Sequence, residues 1–227
     1  MSFPSLIDTA QFSLETVRAH IQHALRKAKK EAAPYTHWLL EDVFPEEVCA
    51  ALTAWDPGKS AIAGDTQGRR ETHNANRVFI NQAVRAHSKP LAYLAEVLDE
   101  AETRALFSSV TGSEVADNWL RMELCLDTDG FWLEPHTDIG AKKLTFLVSL
   151  SRGKGSEEWG TDIMNAEGQS LKRASGKFNS GLIFIPAEDT WHGFARRPIE
   201  GIRRTLIINF VDKSWRARHE LAFEERA

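Results

Sequence analysis

At Gly112 the apolar pattern of the chain changes period, and that change limits the folds open to it. Upstream the spacing is helical. Leu14, Val17, Ile21, Ala24, Leu25 and Ala28 predict a helix over 13–32 with Ser13 as its N-cap. Leu91, Leu94, Val97, Leu98, Ala101 and Leu106 predict a single helix over 91–107. Between them, 37–44 reads as a strand, Pro45 starts a helix, 56–76 reads as a long loop, and 77–81 is a short strand. Downstream come short strands at 119–127, 144–150, 160–163, 182–186 and 205–211. Turn-forming runs such as Asp127–Gly130, Ser151–Gly155 and Asn179–Gly181 separate them. Several short strands at near-regular spacing predict an antiparallel sandwich or barrel, so the whole reads as one α+β unit.

Composition removes several function classes. The balance of 28 Lys+Arg against 32 Asp+Glu gives a net charge of −4, which argues against a duplex nucleic-acid binder. The basic cluster Arg26–Lys30 reads as the solvated last turn of a helix, where cations suit the helix dipole. Two cysteines, Cys49 and Cys125, are too few for a disulfide scaffold or a cysteine zinc site. No secretory leader is recognisable, and no stretch approaches the ~18 apolar residues of a membrane span. A cytoplasmic protein is expected, with no membrane and no nucleic-acid partner; the oligomeric state is not legible.

The chemistry concentrates in Trp132-Leu-Glu-Pro-His136-Thr-Asp138 and in Trp191-His192-Gly. In extended chain His136 and Asp138 project to one face and can hold one cation, with His192 as third ligand. Two histidines and a carboxylate with open positions make the facial triad of non-haem iron oxygenases, although the same donors also suit zinc hydrolysis. A His-x-Asp triplet alone is weak, since such triplets arise by chance. Arg203 and Arg204 open an apolar strand 203 − 192 = 11 residues after His192. Arg203 shares a face with Thr205, and the two can grip a carboxylate; Arg204 points away, toward solvent. The alternative for Arg203 is a structural ion pair.

In this order and spacing, His136-Thr-Asp138, His192 and Arg203-Arg-Thr205 resemble the Fe(II)/2-oxoglutarate-dependent dioxygenases, in the branch similar to prolyl hydroxylases and small-molecule hydroxylases. The resemblance implies a double-stranded β-helix (jelly-roll) core over 118–215, supported by a mainly helical 1–117, within one domain. It implies Fe(II) on His136, Asp138 and His192. It also implies 2-oxoglutarate on Arg203 and Thr205, with O2 as the remaining reactant. Asp138 stands where related halogenases carry Gly or Ala, which favours hydroxylation. Relatives often place a Tyr beside 2-oxoglutarate, and neither Tyr35 nor Tyr93 falls in the predicted core strands.

The resemblance implies a small-molecule substrate, a free or modified amino acid, whose C–H is hydroxylated. The alternatives are a protein or peptide hydroxylase of the same mechanism and a non-catalytic metal-binding or sensor protein. Arg70, Asn76, Arg77, Glu123 and Asn209 are polar candidates for substrate contact, and Trp132, Trp159 and Trp191 for the pocket wall. Each has an ordinary structural reading too: surface charge for Arg77, an outward strand position for Glu123, core packing for the tryptophans.

Overall fold

The computed structural model describes residues 12–55, 67–68 and 77–226. Its helices are α1 (Leu14–Arg26), α2 (Glu46–Thr53), α3 (Gln82–Ala86), α4 (Lys89–Asp99) and α5 (Ala101–Thr111). Strands β1 (Lys29–Glu31), β2 (His37–Leu40) and β3 (Arg77–Phe79) lie among them. After α5 follow β4 (Trp119–Asp127), β5 (Leu133–His136), β6 (Lys142–Ser149), β7 (Asp162–Met164), β8 (Ser170–Arg173), β9 (Ser180–Phe184), β10 (His192–Phe194) and β11 (Arg203–Val211). No described helix is long and apolar enough to cross a membrane.

Two antiparallel sheets result. The large one runs β1-β2-β9-β6-β11-β4-β3 and the small one β5-β10-β7-β8. Strict alternation decides the two faces of the large sheet. On β4, Leu120, Met122, Leu124 and Leu126 join the core with Phe146 of β6 and Leu206, Ile208 and Phe210 of β11. Helices α1, α4 and α5 cover this face, with Phe107 of α5 edge-on to Phe146 and Phe210. The intervening positions of β4, Arg121, Glu123 and Asp127, are polar yet buried, and they face the small sheet's side.

Several elements depart from the expected pattern. The first helix ends at Arg26, and Lys29 and Lys30 lie on an exposed edge strand rather than in a helical turn. Lysines on an edge strand discourage pairing with other chains. The helix expected over 91–107 is two helices broken at Glu100, whose backbone is extended (ψ 140). There the Glu100 carboxylate takes a two-pronged grip from Arg18 of α1, at 2.7 Å for each contact. A long-range ion pair of this kind leaves no trace in local periodicity. Gly112 ends α5 in the left-handed conformation (φ 78) that glycine adopts without steric cost. In the N-terminal half the strands expected at 37–44 and 77–81 are present as the shorter β2 and β3, and with the unexpected β1 they extend both edges of the large sheet. Strands β5, β8 and β10 were not expected; each is only three or four residues long. The 56–76 loop lies outside the described residues except for Gln67 and Gly68.

One buried ion cluster ties the small sheet together. Asp162 of β7 has no exposed surface and accepts from Arg197 Nη2 (2.7 Å), Arg173 Nε (3.0 Å) and the Ala195 N–H (2.7 Å). Burial, the largest single influence, works to raise the Asp162 carboxyl, and the contacts from Arg197, the Ala195 N–H and Arg173 together outweigh it, so the group lies below the usual carboxylate range. Asp162→Asn is expected to cost about 3–5 kcal/mol in urea unfolding at pH 7, because it leaves Arg197 uncompensated. The native pKa is the depressed one. The charge therefore stabilises above the ordinary Asp pKa and ceases to do so as pH falls through the lowered native value. The gap between wild type and variant is expected to close in acid.

Candidate active site

His136 ends β5 and His192 begins β10, and the two are direct partners in the antiparallel register. Their rings lie 4.3 Å apart between centroids. Asp138 follows in the loop to β6, and one ligand atom from each of the three residues lies within 4.8 Å of the others. Each histidine directs Nδ1 to a backbone carbonyl two residues upstream: His136 to Glu134 O at 2.8 Å, His192 to Thr190 O at 2.9 Å. A carbonyl only accepts, so Nδ1 carries the proton and Nε2 keeps its lone pair for a cation. Gly193, next to His192, admits no side chain, since a Cβ there would lie 2.8 Å from Leu133 O.

The electrostatics favour ligation. Burial pushes the His192 pKa down to about 4 against the pull of Asp138, so its imidazole is neutral at physiological pH. Burial would raise the Asp138 carboxyl, but the Lys142 ammonium, His192 and the Thr145 hydroxyl outweigh it and hold it at about 2. The carboxylate is thus anionic, with Lys142 Nζ 2.5 Å from Oδ1 and Thr145 Oγ1 donating to Oδ2 at 2.6 Å. Two imidazoles and a carboxylate on one side of a cavity suit a divalent metal with open positions.

These residues open onto a cavity of about 470 Å³ between the two sheets. Of the residues singled out from sequence, His136, Asp138, His192, Arg203, Thr205, Arg77 and Glu123 line it. Asn209 sits just behind the wall, fully buried, with its Nδ2 donating to Thr145 Oγ1 at 2.9 Å. Arg203 is 3% exposed, with its Nη1 2.5 Å from Asp127 Oδ2 and its Nε donating to Trp159 O at 2.8 Å. It therefore makes the structural ion pair and also lines the cavity. Phe194 lies 4.5 Å under its guanidinium.

Other placements correct the sequence reading. Trp132 is not on the cavity wall; it packs beneath Gly68, with Arg196 5.6 Å over its ring. Trp159 is buried in a small cluster with Phe131, Phe194 and Ile199, and meets the site only through its carbonyl. Trp191 does not line the cavity either. Arg204 is half-buried rather than fully in solvent, with a buried Nε that has no partner. Arg70 and Asn76 lie outside the described residues. Tyr35, in the β1–β2 connection, is buried with an unpartnered hydroxyl. Its pKa is raised by burial and by the charges of Asp138 and Asp189.

Sequence reasoning missed Arg121, Lys142, Thr145, Trp215 and Glu220, all on the cavity wall. Parity was a usable signal for Arg121, which occupies the same face of β4 as Glu123 and Asp127. Trp215 and Glu220 follow the last strand and carried no such signal. Arg121 is the hub of a buried network. It reaches Glu220 Oε2 through Nε (2.6 Å), Glu123 Oε2 through Nη2 (2.7 Å) and Asn209 Oδ1 through Nη1 (3.3 Å). Arg77 Nε bonds the other oxygen of Glu123. The polar chain thus runs from Asp138 through Thr145, Asn209 and Arg121 to Glu220.

No protein-family model and no curated protein matches the chain. Solved structures do match it. A prolyl 4-hydroxylase from Phytophthora capsici aligns at TM-score 0.57 and 14% identity, over 93% of this chain and 70% of that one. The prolyl hydroxylase of Trichoplax adhaerens, solved with a hypoxia inducible factor peptide, aligns at TM-score 0.53 and 14% identity, over 92% and 95%. A Pseudomonas putida prolyl-4-hydroxylase aligns at TM-score 0.52 and 12% identity, over 87% and 100%. The chain thus has the fold of the prolyl hydroxylases.

Proposed function

We propose that this protein is an Fe(II)- and 2-oxoglutarate-dependent oxygenase that hydroxylates an unactivated C–H of a small metabolite, a free or modified amino acid. The observation that carries the reading is the register pairing of His136 with His192 beside Asp138, with both Nε2 atoms kept for a cation. The two sheets, with β4, β6, β9 and β11 in one and β5, β7, β8 and β10 in the other, support a double-stranded β-helix as its frame.

Bound Fe(II) with O2 supplies the oxidising chemistry, in which 2-oxoglutarate becomes succinate and CO2 and one oxygen atom enters the substrate. His136, Asp138 and His192 hold the metal on one side and leave the cavity side open. Arg203 and Thr205 bind the distal carboxylate of 2-oxoglutarate, Arg203 being held in place by Asp127 and Trp159 O. The inward Arg77 and Glu123 face the substrate, with Asn209 behind them. A cavity of about 470 Å³ suits a metabolite-sized ligand.

Hydroxylation of a prolyl residue in a peptide is the second reading, favoured by the fold shared with prolyl hydroxylases. A non-catalytic metal-binding role leaves the open face of the triad without a use.

The test is succinate release from 2-oxoglutarate with Fe(II), screened against amino acids, other small metabolites and a proline-containing peptide library. Stimulation by a small metabolite supports the proposal. Stimulation by peptides alone supports the second reading, and silence throughout overturns the oxygenase reading.

A further inference from the structure

Strand register sets one row of polar side chains across the large sheet. Asn209 of β11 is the direct partner of Arg121 on β4 and of Thr145 on β6. Side chains of directly opposed residues lie close enough to interact. All three are buried, Asn209 completely. The row ends at Asp138, which follows β5 in the loop to β6 and accepts from Thr145.

Donor chemistry gives this row a direction. A guanidinium donates through its nitrogens and accepts nothing. The Asn209 atom facing Arg121 Nη1 at 3.3 Å is therefore the carbonyl Oδ1, which turns the amide Nδ2 to Thr145. An amide nitrogen also only donates, so Thr145 Oγ1 accepts from it at 2.9 Å and keeps its own proton to give. That proton goes to Asp138 Oδ2 at 2.6 Å, since an ionised carboxylate only accepts. A pure donor at one end and a pure acceptor at the other thus fix every bond between them. Arg121 is itself held by Glu220 and Glu123. Lys142 Nζ holds the other oxygen of Asp138 at 2.5 Å, but an ammonium on a flexible stem is a rotatable point charge and sets no plane.

We infer that Thr145 and Asn209 are positioning residues for the metal ligand Asp138: Asn209 orients the Thr145 hydroxyl, and that hydroxyl fixes the carboxylate for a divalent cation shared with His136 and His192. This deepens the oxygenase reading and rests on its assignment of Asp138 as a metal ligand. Asn209 acts from behind the cavity wall without touching a ligand. Hydrogen-bond partners behind a metal-bound group are worth about 10- to 100-fold in metal affinity.

The test is calorimetric titration of the full-length protein, freed of metal by chelation, with Co(II) as an air-stable substitute for Fe(II). Urea unfolding of the same samples runs beside it. Loss of Co(II) binding in His136→Ala identifies the titrated site. Thr145→Val replaces the hydroxyl by a methyl on a central strand, where a β-branched residue is well suited, so the fold is expected to hold. It is expected to weaken Co(II) binding about 10- to 100-fold. Thr145→Ser keeps the hydroxyl and is expected to restore most of that affinity. Asn209→Leu is expected to weaken Co(II) binding on its own and to have no further effect once Thr145→Val is present, because it acts through that hydroxyl. Asn209→Ala, a smaller truncation, takes its place in the cycle where Asn209→Leu does not fold.

A residue that only supports the fold lowers the urea midpoint and leaves Co(II) affinity where it was. Unchanged affinity in Thr145→Val therefore overturns the inference and leaves the metal site standing. Equal losses from the Asn209 variant with and without Thr145→Val overturn the part given to Asn209. Absence of Co(II) binding in the wild-type protein overturns the oxygenase reading and the inference together.

Discussion

His136→Ala is expected to lower 2-oxoglutarate-dependent succinate formation by at least about 100-fold, beyond the range typical of losing a partner behind a metal ligand. The reason is geometric. His136 is the residue whose register with His192 brings the two imidazoles together, and Asp138 follows it by two residues. Without it the metal has one imidazole and one carboxylate, and its retention falls with its activity. The measurement pairs turnover with metal content after anaerobic loading with Fe(II), and with a thermal melt. His136 is half-buried at a strand end, so the fold is expected to survive. Wild-type turnover in this variant would remove His136 from the site and with it the proposed function.

Arg203→Ala is expected to act on stability and on co-substrate binding together. Arg203 and Asp127 form a pair with side chains 3% and 4% exposed, and truncating one leaves the other charge buried. Breaking such a pair costs about 3–5 kcal/mol, read in urea unfolding. Arg203→Lys separates the two effects. An ammonium keeps the charge opposite Asp127 but lacks the planar fork that also reaches Trp159 O. It is expected to retain much of the stability while raising KM for 2-oxoglutarate about tenfold or more, at little change in kcat. An unchanged KM would confine Arg203 to its ion pair and require another residue to hold the distal carboxylate.

Much of this site is legible because its parts lie on strands. A strand has a period of two, so Arg203, Thr205 and Asn209 share a face by arithmetic alone, and the same arithmetic extends to Arg121, Glu123 and Asp127 on β4. Which face is inward is not decided by period. Glu123 reads equally well as a solvent-facing residue until the helices are seen to cover Leu120, Met122 and Leu124 on the other side. The helical boundaries failed where a distant partner intervened, as at Glu100, whose carboxylate answers to Arg18.

The sequence alone determined the change from helix to strand at Gly112, the polar and apolar faces of the long strands, and the His-x-Asp…His…Arg-x-Thr order. These depend on local geometry and side-chain chemistry. Tertiary structure decided the rest: that His136 meets His192, that Trp132 and Trp191 stay off the cavity wall, and that Trp215 and Glu220 line it. These depend on contacts between residues far apart in the chain. Glu220 and Arg121 are separated by 99 positions. The short β5 and β10 acquire their places by pairing across the small sheet rather than from any preference of their own.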